Sequence, residues 1–267
     1  MARGRGRKVG DGGSGTDGEV LVAVGDDVAV ALGLEQDRAA LSERASTAER
    51  VAEVLRTRIM EGLFPPGARL PEELISSSLG VSRNTMREAF RLLCHERLAV
   101  HELNRGVFVP VLAAEDVVDL YRVRRMVEAS AARVVGSAPR PAIRAIRAAV
   151  GEGQRAAKGR RWQDVGTADL SFHRAVTALA GSPRVDEMMR RILAELRLVF
   201  HVMADPERFH APYLDRNHEI AGLLERGEGA AAEQALLTYL DDAEAQLLNA
   251  YAEVGLTPVG RPAIGPG

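Results

Sequence analysis

The chain has 267 residues, 37 acidic and 35 basic, with a formal charge of −2 when histidine is neutral; 46 % of it is hydrophobic and 27 % charged. This is the profile of a globular protein with room for one large domain or two ordinary ones. A single cysteine, Cys94, excludes a disulfide framework and a cysteine-rich zinc finger, and no apolar run is long enough for a secretory signal or a membrane span, so the expected setting is the cytoplasm.

Residues 1–45 are expected to form a disordered N-terminal extension. A basic cluster from Arg3 to Lys8 precedes a stretch crowded with Gly, Ser and Asp. It reads first as a solvated tail, with an arm touching nucleic-acid phosphates as the alternative. Lys8 and Lys158 are the only lysines, so arginine abundance reflects coding bias and is weak evidence for a polyanionic partner.

From Thr47 the pattern tightens. Thr47 is expected to cap a helix with Val51, Val54, Leu55, Ile59 and Met60 on its apolar face, ended by Phe64-Pro65-Pro66-Gly67. A short helix from Pro71 to Leu79 follows, with Pro71 in its first turn, then a turn at Gly80 and a third helix over 82–97 capped by Ser82. Two strands at 100–103 and 107–109 flank a bend at Asn104-Arg105-Gly106. Beyond Pro110 six helices are expected, at 114–136, 140–158, 162–180, 184–203, 211–226 and 229–253. Their breaks fall at Pro139, Gly159, Gly181-Ser182-Pro183, Pro206 to Pro212, and Gly227 to Gly229. The predicted fold is mainly α. A winged helix-turn-helix at 46–111 leads into an all-α antiparallel bundle at 112–253, and 254–267 form a flexible tail.

Within the third helix, Met86, Ala89, Phe90 and Leu93 supply the buried side, leaving Arg83, Asn84 and Arg87 on the outer face near its N-terminus. Arg83 and Arg87 are i, i+4 neighbours, the spacing for a major-groove helix whose arginines grip guanine bidentately. The Ser82 or Thr85 hydroxyl beside a helix N-terminus suits a phosphate. Spacing alone fits a solvated arginine face equally well; a hairpin tip with Arg105 and Gly106, suited to a minor-groove or backbone contact, favours DNA. Cys94 is expected in the core.

The segment resembles the DNA-binding domain of GntR-family bacterial transcription regulators. The residues that carry the resemblance are Gly67, Leu70, Glu72, Ile75, Leu79, Gly80, Val81, Ser82, Arg83, Arg87, Glu88 and Ala89, followed by the wing residues Asn104, Arg105, Gly106 and Val109. Thr85 departs from the usual proline, Phe90 from leucine, and Arg97 stands where a glycine is common. The resemblance implies base reading by Arg83 and Arg87, approach of Thr85 to the backbone or a base edge, and a wing contact from Arg105 and Gly106.

The second half is similar to the FCD effector domain of the FadR subfamily, and six helices suggest its shorter, VanR-like branch. The similarity is carried by Leu120-Tyr121, Arg124, Glu128, Ala131-Ala132, Asp169 to His173 and the helix from Ala235 to Leu240. Asp169 and His173, one helical turn apart, put a carboxylate and an imidazole on one face, as a divalent metal such as zinc requires. The two further histidines of metal-binding relatives align with Asn217 and Tyr239, so half the ligand set is kept, Asn217 offering a carbonyl oxygen. Three readings stay open: a metal site, a metal-free pocket in which Asp169, His173, Asn217 and Tyr239 hold an organic effector, and a satisfied polar cluster. Arg124 is expected either to bind a carboxylate effector or to pair with Glu128. The resemblance implies a homodimeric repressor on a palindromic operator, released by an organic acid. The competing class, a metal-dependent enzyme or metal sensor fused to a winged helix, lacks a P-loop, a dinucleotide fingerprint, a His-Glu-x-x-His motif and a nucleophile elbow.

Overall fold

The structure, a computed structural model, describes residues 46–253 apart from 139, 202 and 204. The extension expected at 1–45, the tail expected at 254–267 and the break at Pro139 lie outside the described residues.

Helix α1 spans Thr47–Met60. Its cap is Ser46, not the expected Thr47. The Ser46 hydroxyl accepts the Glu49 N–H at 3.2 Å, and the Glu49 carboxylate accepts the Ser46 N–H at 2.8 Å. This reciprocal capping box satisfies two of the donors that a helix start leaves open. Helix α2, Glu72–Leu79, has Pro71 as N-cap rather than in its first turn; Gly80 closes it with φ +65°. Helix α3, Arg83–His95, is capped by Ser82 as expected, its hydroxyl accepting the Thr85 N–H at 3.1 Å. The three helices close over Leu55, Ile59, Ile75, Met86, Phe90 and Leu93. Strands β2, Val100–Glu102, and β3, Gly106–Phe108, form the expected hairpin. A strand not expected, β1 (Arg69–Leu70), pairs antiparallel with the other edge of β3, so the sheet runs β1-β3-β2. Two residues are too few to show alternation, which is why β1 left no trace in the sequence.

Among the described residues the remainder is six helices: α4 Ala114–Arg133, α5 Arg140–Lys158, α6 Trp162–Thr177, α7 Pro183–Phe200, α8 Pro206–Glu225 and α9 Gly229–Glu253. Two expected helix ends are instead 3-10 turns, Val135–Ser137 and Ala178–Ala180. Helix α4 packs chiefly along α9, and α5 along α6. The main correction is α8, which begins five residues before its expected start. Asp205 caps it, accepting the Arg208 N–H at 3.0 Å; Pro206 takes the first turn and Pro212 lies inside the helix. Proline at a helix start loses nothing, since that N–H has no intrahelical partner. The Pro206 to Pro212 segment expected as a break is therefore helical, and His210 with it.

The winged domain rests on α7. Arg56 of α1 donates to both Glu96 carboxylate oxygens (2.8 and 2.9 Å), and Arg190 of α7 donates to the same carboxylate at 3.4 Å. Arg97 has φ +59°, the left-handed conformation expected at a position usually held by glycine. Its ion pair with Glu195 is long, at 3.9 Å, and joins a largely exposed guanidinium to a buried carboxylate. Arg97→Gly should therefore raise stability by about 1 kcal/mol, read as a shift of the urea midpoint with unchanged slope; a decrease would mean that the Glu195 contact outweighs the backbone strain.

Candidate functional site

Two groups of side chains stand out. The first is on the winged domain. Arg83, Asn84 and Arg87 are exposed on the first two turns of α3, and Thr85 is half-buried with its hydroxyl 2.8 Å from that of Ser82. At the wing tip, Asn104 and Gly106 adopt φ +62° and +110°, which throws Leu103 and Arg105 outward; Leu103 is 82 % exposed. The arginines are not free. Arg83 pairs with Glu73 at 3.0 Å, Arg87 with Glu72 at 3.1 Å, and Arg105 with Glu102 while lying over the Phe108 ring. Glu73 and Glu102 were not foreseen from the sequence, because their pairing depends on how α2 and the wing sit against these arginines. Cys94 is half-buried, and burial pushes its thiol pKa up, away from the reactive range.

The second group lies in the bundle, where the fold brings all five expected residues together. Glu128 is fully buried. It accepts from Arg124 Nε at 2.7 Å, one turn earlier on α4, and from His173 Nδ1 on α6 at 2.6 Å. Burial alone would raise the Glu128 pKa, but Arg124 and His173 outweigh it and hold the carboxyl below its ordinary value. Hydrogen-bond donation by Nδ1 leaves His173 Nε2 pointing toward Asp169 Oδ2, 3.9 Å away. Asp169 in turn accepts from Asn217 Nδ2 on α8 and from the Tyr239 hydroxyl on α9, each at 2.7 Å. Burial again opposes ionisation, and His173, His210 and the two hydrogen bonds reverse the balance, so Asp169 too is held low. The Tyr121 ring carries the Arg124 guanidinium at 4.7 Å, and Tyr239 meets the His173 ring edge-on at 5.0 Å. Arg124 thus makes the expected intrahelical pair with Glu128, and its Nη2 remains buried without a hydrogen-bond partner.

Of the zinc reading left open by the sequence, only the half set of Asp169 and His173 is present. Asn217 and Tyr239, at the positions of two missing histidines, both spend a donor on Asp169. Burial and the Asp169 charge push the Tyr239 pKa well up, so it stays a neutral phenol, a poor ligand. Among the described residues no three His, Cys, Asp or Glu side chains are grouped to hold a metal ion. His173 and Asp169 alone fall short of a tetrahedral site.

One residue was placed wrongly by sequence reasoning. His210 was expected in a loop, but it is 4 % exposed on α8, two turns before Asn217, and lines a small pocket of about 10 Å³ with Asp169, Tyr213 and Asn217. Burial, assisted by Arg197 and opposed by Asp169, lowers its pKa to about 4, so the ring is neutral near pH 7. The signal was available in Asp205-Pro206, a cap followed by a first-turn proline, which puts His210 and Asn217 on one face. Four buried polar atoms of this group have no hydrogen-bond partner: Arg124 Nη2, His173 Nε2, His210 Nδ1 and Asn217 Oδ1.

Removing Glu128 would leave Arg124 buried without its counter-charge. Glu128→Ala should cost about 3–5 kcal/mol, measured by urea unfolding. Because Glu128 and Asp169 have lowered native pKa values, their contribution is complete above the ordinary carboxylate range of about 4 to 4.5 and is lost as pH falls below it. Unfolding curves from pH 7 to pH 3 should fall less steeply for Glu128→Gln than for the parent chain; parallel curves would remove Glu128 from the account.

The family model described as bacterial regulatory proteins, gntR family, matches residues 47–109, and that of the FCD domain matches residues 119–242. A relative from Paenarthrobacter nicotinovorans named "Probable D-xylose utilization operon transcriptional repressor" is 26 % identical over 199 residues, 72 % of this chain and 85 % of that protein. The galactonate operon transcriptional repressor of Escherichia coli is 26 % identical over 214 residues, 72 % of this chain and 93 % of its own. A structural-genomics crystal structure from Rhodococcus sp. RHA1, titled as a GntR regulator, is 49 % identical and superimposes with a TM-score of 0.74, covering 78 % of this chain and all of that one. The chain therefore belongs to the GntR family of bacterial transcription regulators, with an FCD domain behind its winged helix, and not to an enzyme family.

Proposed function

We propose that this protein is a cytoplasmic repressor whose two copies read a palindromic operator and release it when a hydroxylated organic acid enters the bundle. The observation that carries the effector half is the set of four unpartnered polar atoms around Asp169. Native proteins leave few buried polar atoms unsatisfied; His210 and Asn217 line the pocket of about 10 Å³, which has room for no more than a water, so a guest must open it to reach them and the Arg124 and His173 atoms beyond. Arg124 Nη2 suits a carboxylate oxygen, while His173 Nε2, His210 Nδ1 and Asn217 Oδ1 suit hydroxyls. No metal is required. Two relatives carry names that refer to D-xylose and to galactonate, a sugar and a sugar acid, in line with such a guest. In the DNA half, Arg83, Asn84 and Arg87 enter the major groove, Thr85 holds a phosphate, and Arg105 with Gly106 lies along the minor groove. A two-fold dimer of bundle domains sets the half-site spacing. The candidate boundaries are 46–111 for DNA and 112–253 for effector and dimer.

Selection of bound fragments from sheared genomic DNA at physiological salt should enrich one short palindrome, since low-salt binding would report phosphate attraction instead. Arg83→Ala and Arg87→Ala should each weaken that site by about 1–3 kcal/mol, roughly 5- to 150-fold, with the fold intact; normal footprints from both would dismiss the recognition helix. In a thermal-shift panel of D-galactonate, D-gluconate and D-xylose at least one of the two acids should stabilise the parent chain, neutral D-xylose should not, and the shift should vanish in His173→Ala. Binding of none of them would leave the DNA half standing and reject the sugar-acid effector.

A further inference from the structure

Arg197 of α7 sits between the bundle pocket and the winged domain. It is 7 % exposed, and its two recorded hydrogen bonds go to main-chain carbonyls, Met60 of α1 at 3.2 Å and Gln163 of α6 at 3.3 Å. A guanidinium buried on carbonyls alone is costly to maintain; burial lowers its pKa, with only the more distant Asp164 opposing. The Met60 carbonyl is among those a helix end leaves open, and it lies at the negative end of the α1 dipole. One turn on, His201 adds a second clasp. Its ring packs against the same helix end, with Cε1 2.9 Å from where a Cβ on Gly62, held at φ +85°, would stand. Thus α7 caps the C-terminal end of α1 from another domain.

On its other side Arg197 approaches Gly166, as does His210, a residue of the pocket. Gly166 on α6 has no side chain, and Arg197 and His210 both cross that bare backbone. A Cβ there would lie 2.8 Å from Arg197 Nη1 and 2.7 Å from His210 Nε2. His210 lines the pocket with Asp169 and Asn217, and its Nδ1 has no partner. A guest that engages Nδ1 must move or fix this ring, and a close-packed neighbour cannot absorb the displacement.

We propose that Arg197 is the positioning residue through which occupancy of the pocket reaches the DNA-binding domain: His210 moves against it over Gly166, and it tightens or releases the end of α1. This rests on the effector-pocket reading above. Helix α1 packs on α3 and grips its far end through Arg56 and Glu96, so a shift of α1 re-aims the recognition helix. The two states required of an allosteric element are the clasped and the unclasped ends of α1.

The test needs neither DNA nor a known effector. Amide hydrogen exchange is followed by mass spectrometry in the intact protein, in the segment 57–64, where the Glu61, Gly62 and Leu63 amides are bonded to Thr57, Ile59 and Arg58 carbonyls. The variants are His210→Ala in the pocket, Arg197→Met, which keeps apolar bulk without the charge, and the two combined; Arg197→Lys tests rescue. Each single change should speed exchange of 57–64 at least threefold, with α9 unchanged. The double variant should exchange no faster than the quicker single one, and Arg197→Lys should lie nearer the parent. An unaltered 57–64 segment in His210→Ala overturns the proposal, as do single effects that multiply in the double variant. Equal acceleration in α9 also overturns it, because it reports general loosening. Failure to select any operator would sink the function proposed above and leave this result untouched.

Discussion

The bundle is organised around one buried carboxylate. Glu128 has no access to water, and a bare charge in that position would be intolerable. Two partners make it tolerable, Arg124 on its own helix and His173 on α6. The consequences spread outward. Holding His173 by Nδ1 fixes which nitrogen faces Asp169. Asp169 then has to be held by its own donors, and these come from α8 and α9. Four helices are thus registered against one another by hydrogen bonds that cannot be exchanged for water. The hydrophobic packing along α4 with α9 and α5 with α6 is less directional and sets stability more than position.

Much of this was legible beforehand, and the failures have definite causes. Strong periodic signals survived: the apolar faces of α1 and α3, the Ser82 cap, the Gly80 turn, and the hairpin around Asn104. The i, i+4 spacings Arg124–Glu128 and Asp169–His173 correctly put each pair on one helical face. Pairings across elements were invisible, because nothing in the chain couples Glu73 to Arg83 or Arg197 to Met60 until the fold does. Prolines misled at α8. Pro206 and Pro212 read as a broken stretch, but a capping Asp205 turns the first into a helix starter, and tertiary packing carries the second. That one error hid His210. At the start of α1, Ser46 and Thr47 are both good caps, and only Glu49, three residues beyond Ser46, decides between them.

The division of labour between the domains also follows from side-chain chemistry. One buried guanidinium of the bundle, Arg197 on α7, touches a main-chain carbonyl of the winged domain, that of Met60, whereas Arg83 and Arg87 stay exposed to solvent. Helix α7 reaches the winged domain at the end of α1, through Arg197 and the Met60 carbonyl, and at the end of α3, through Arg190 and Glu96.

The ion pairs on the recognition surface bear on how such a protein divides its time between its own site and the rest of a genome. Arg83, Arg87 and Arg105 each face a carboxylate, Glu73, Glu72 and Glu102 respectively, so on the surface proposed to meet DNA these three charges are balanced. An arginine that must first give up a carboxylate gains little from a random phosphate, and fewer counterions are set free when it does. A correctly placed guanine, which offers two acceptors in the geometry of the guanidinium fork, repays the exchange. If these arginines read an operator as proposed, their acidic neighbours act as a toll on indiscriminate contacts and leave discrimination, rather than general attraction to nucleic acid, to govern where the protein comes to rest.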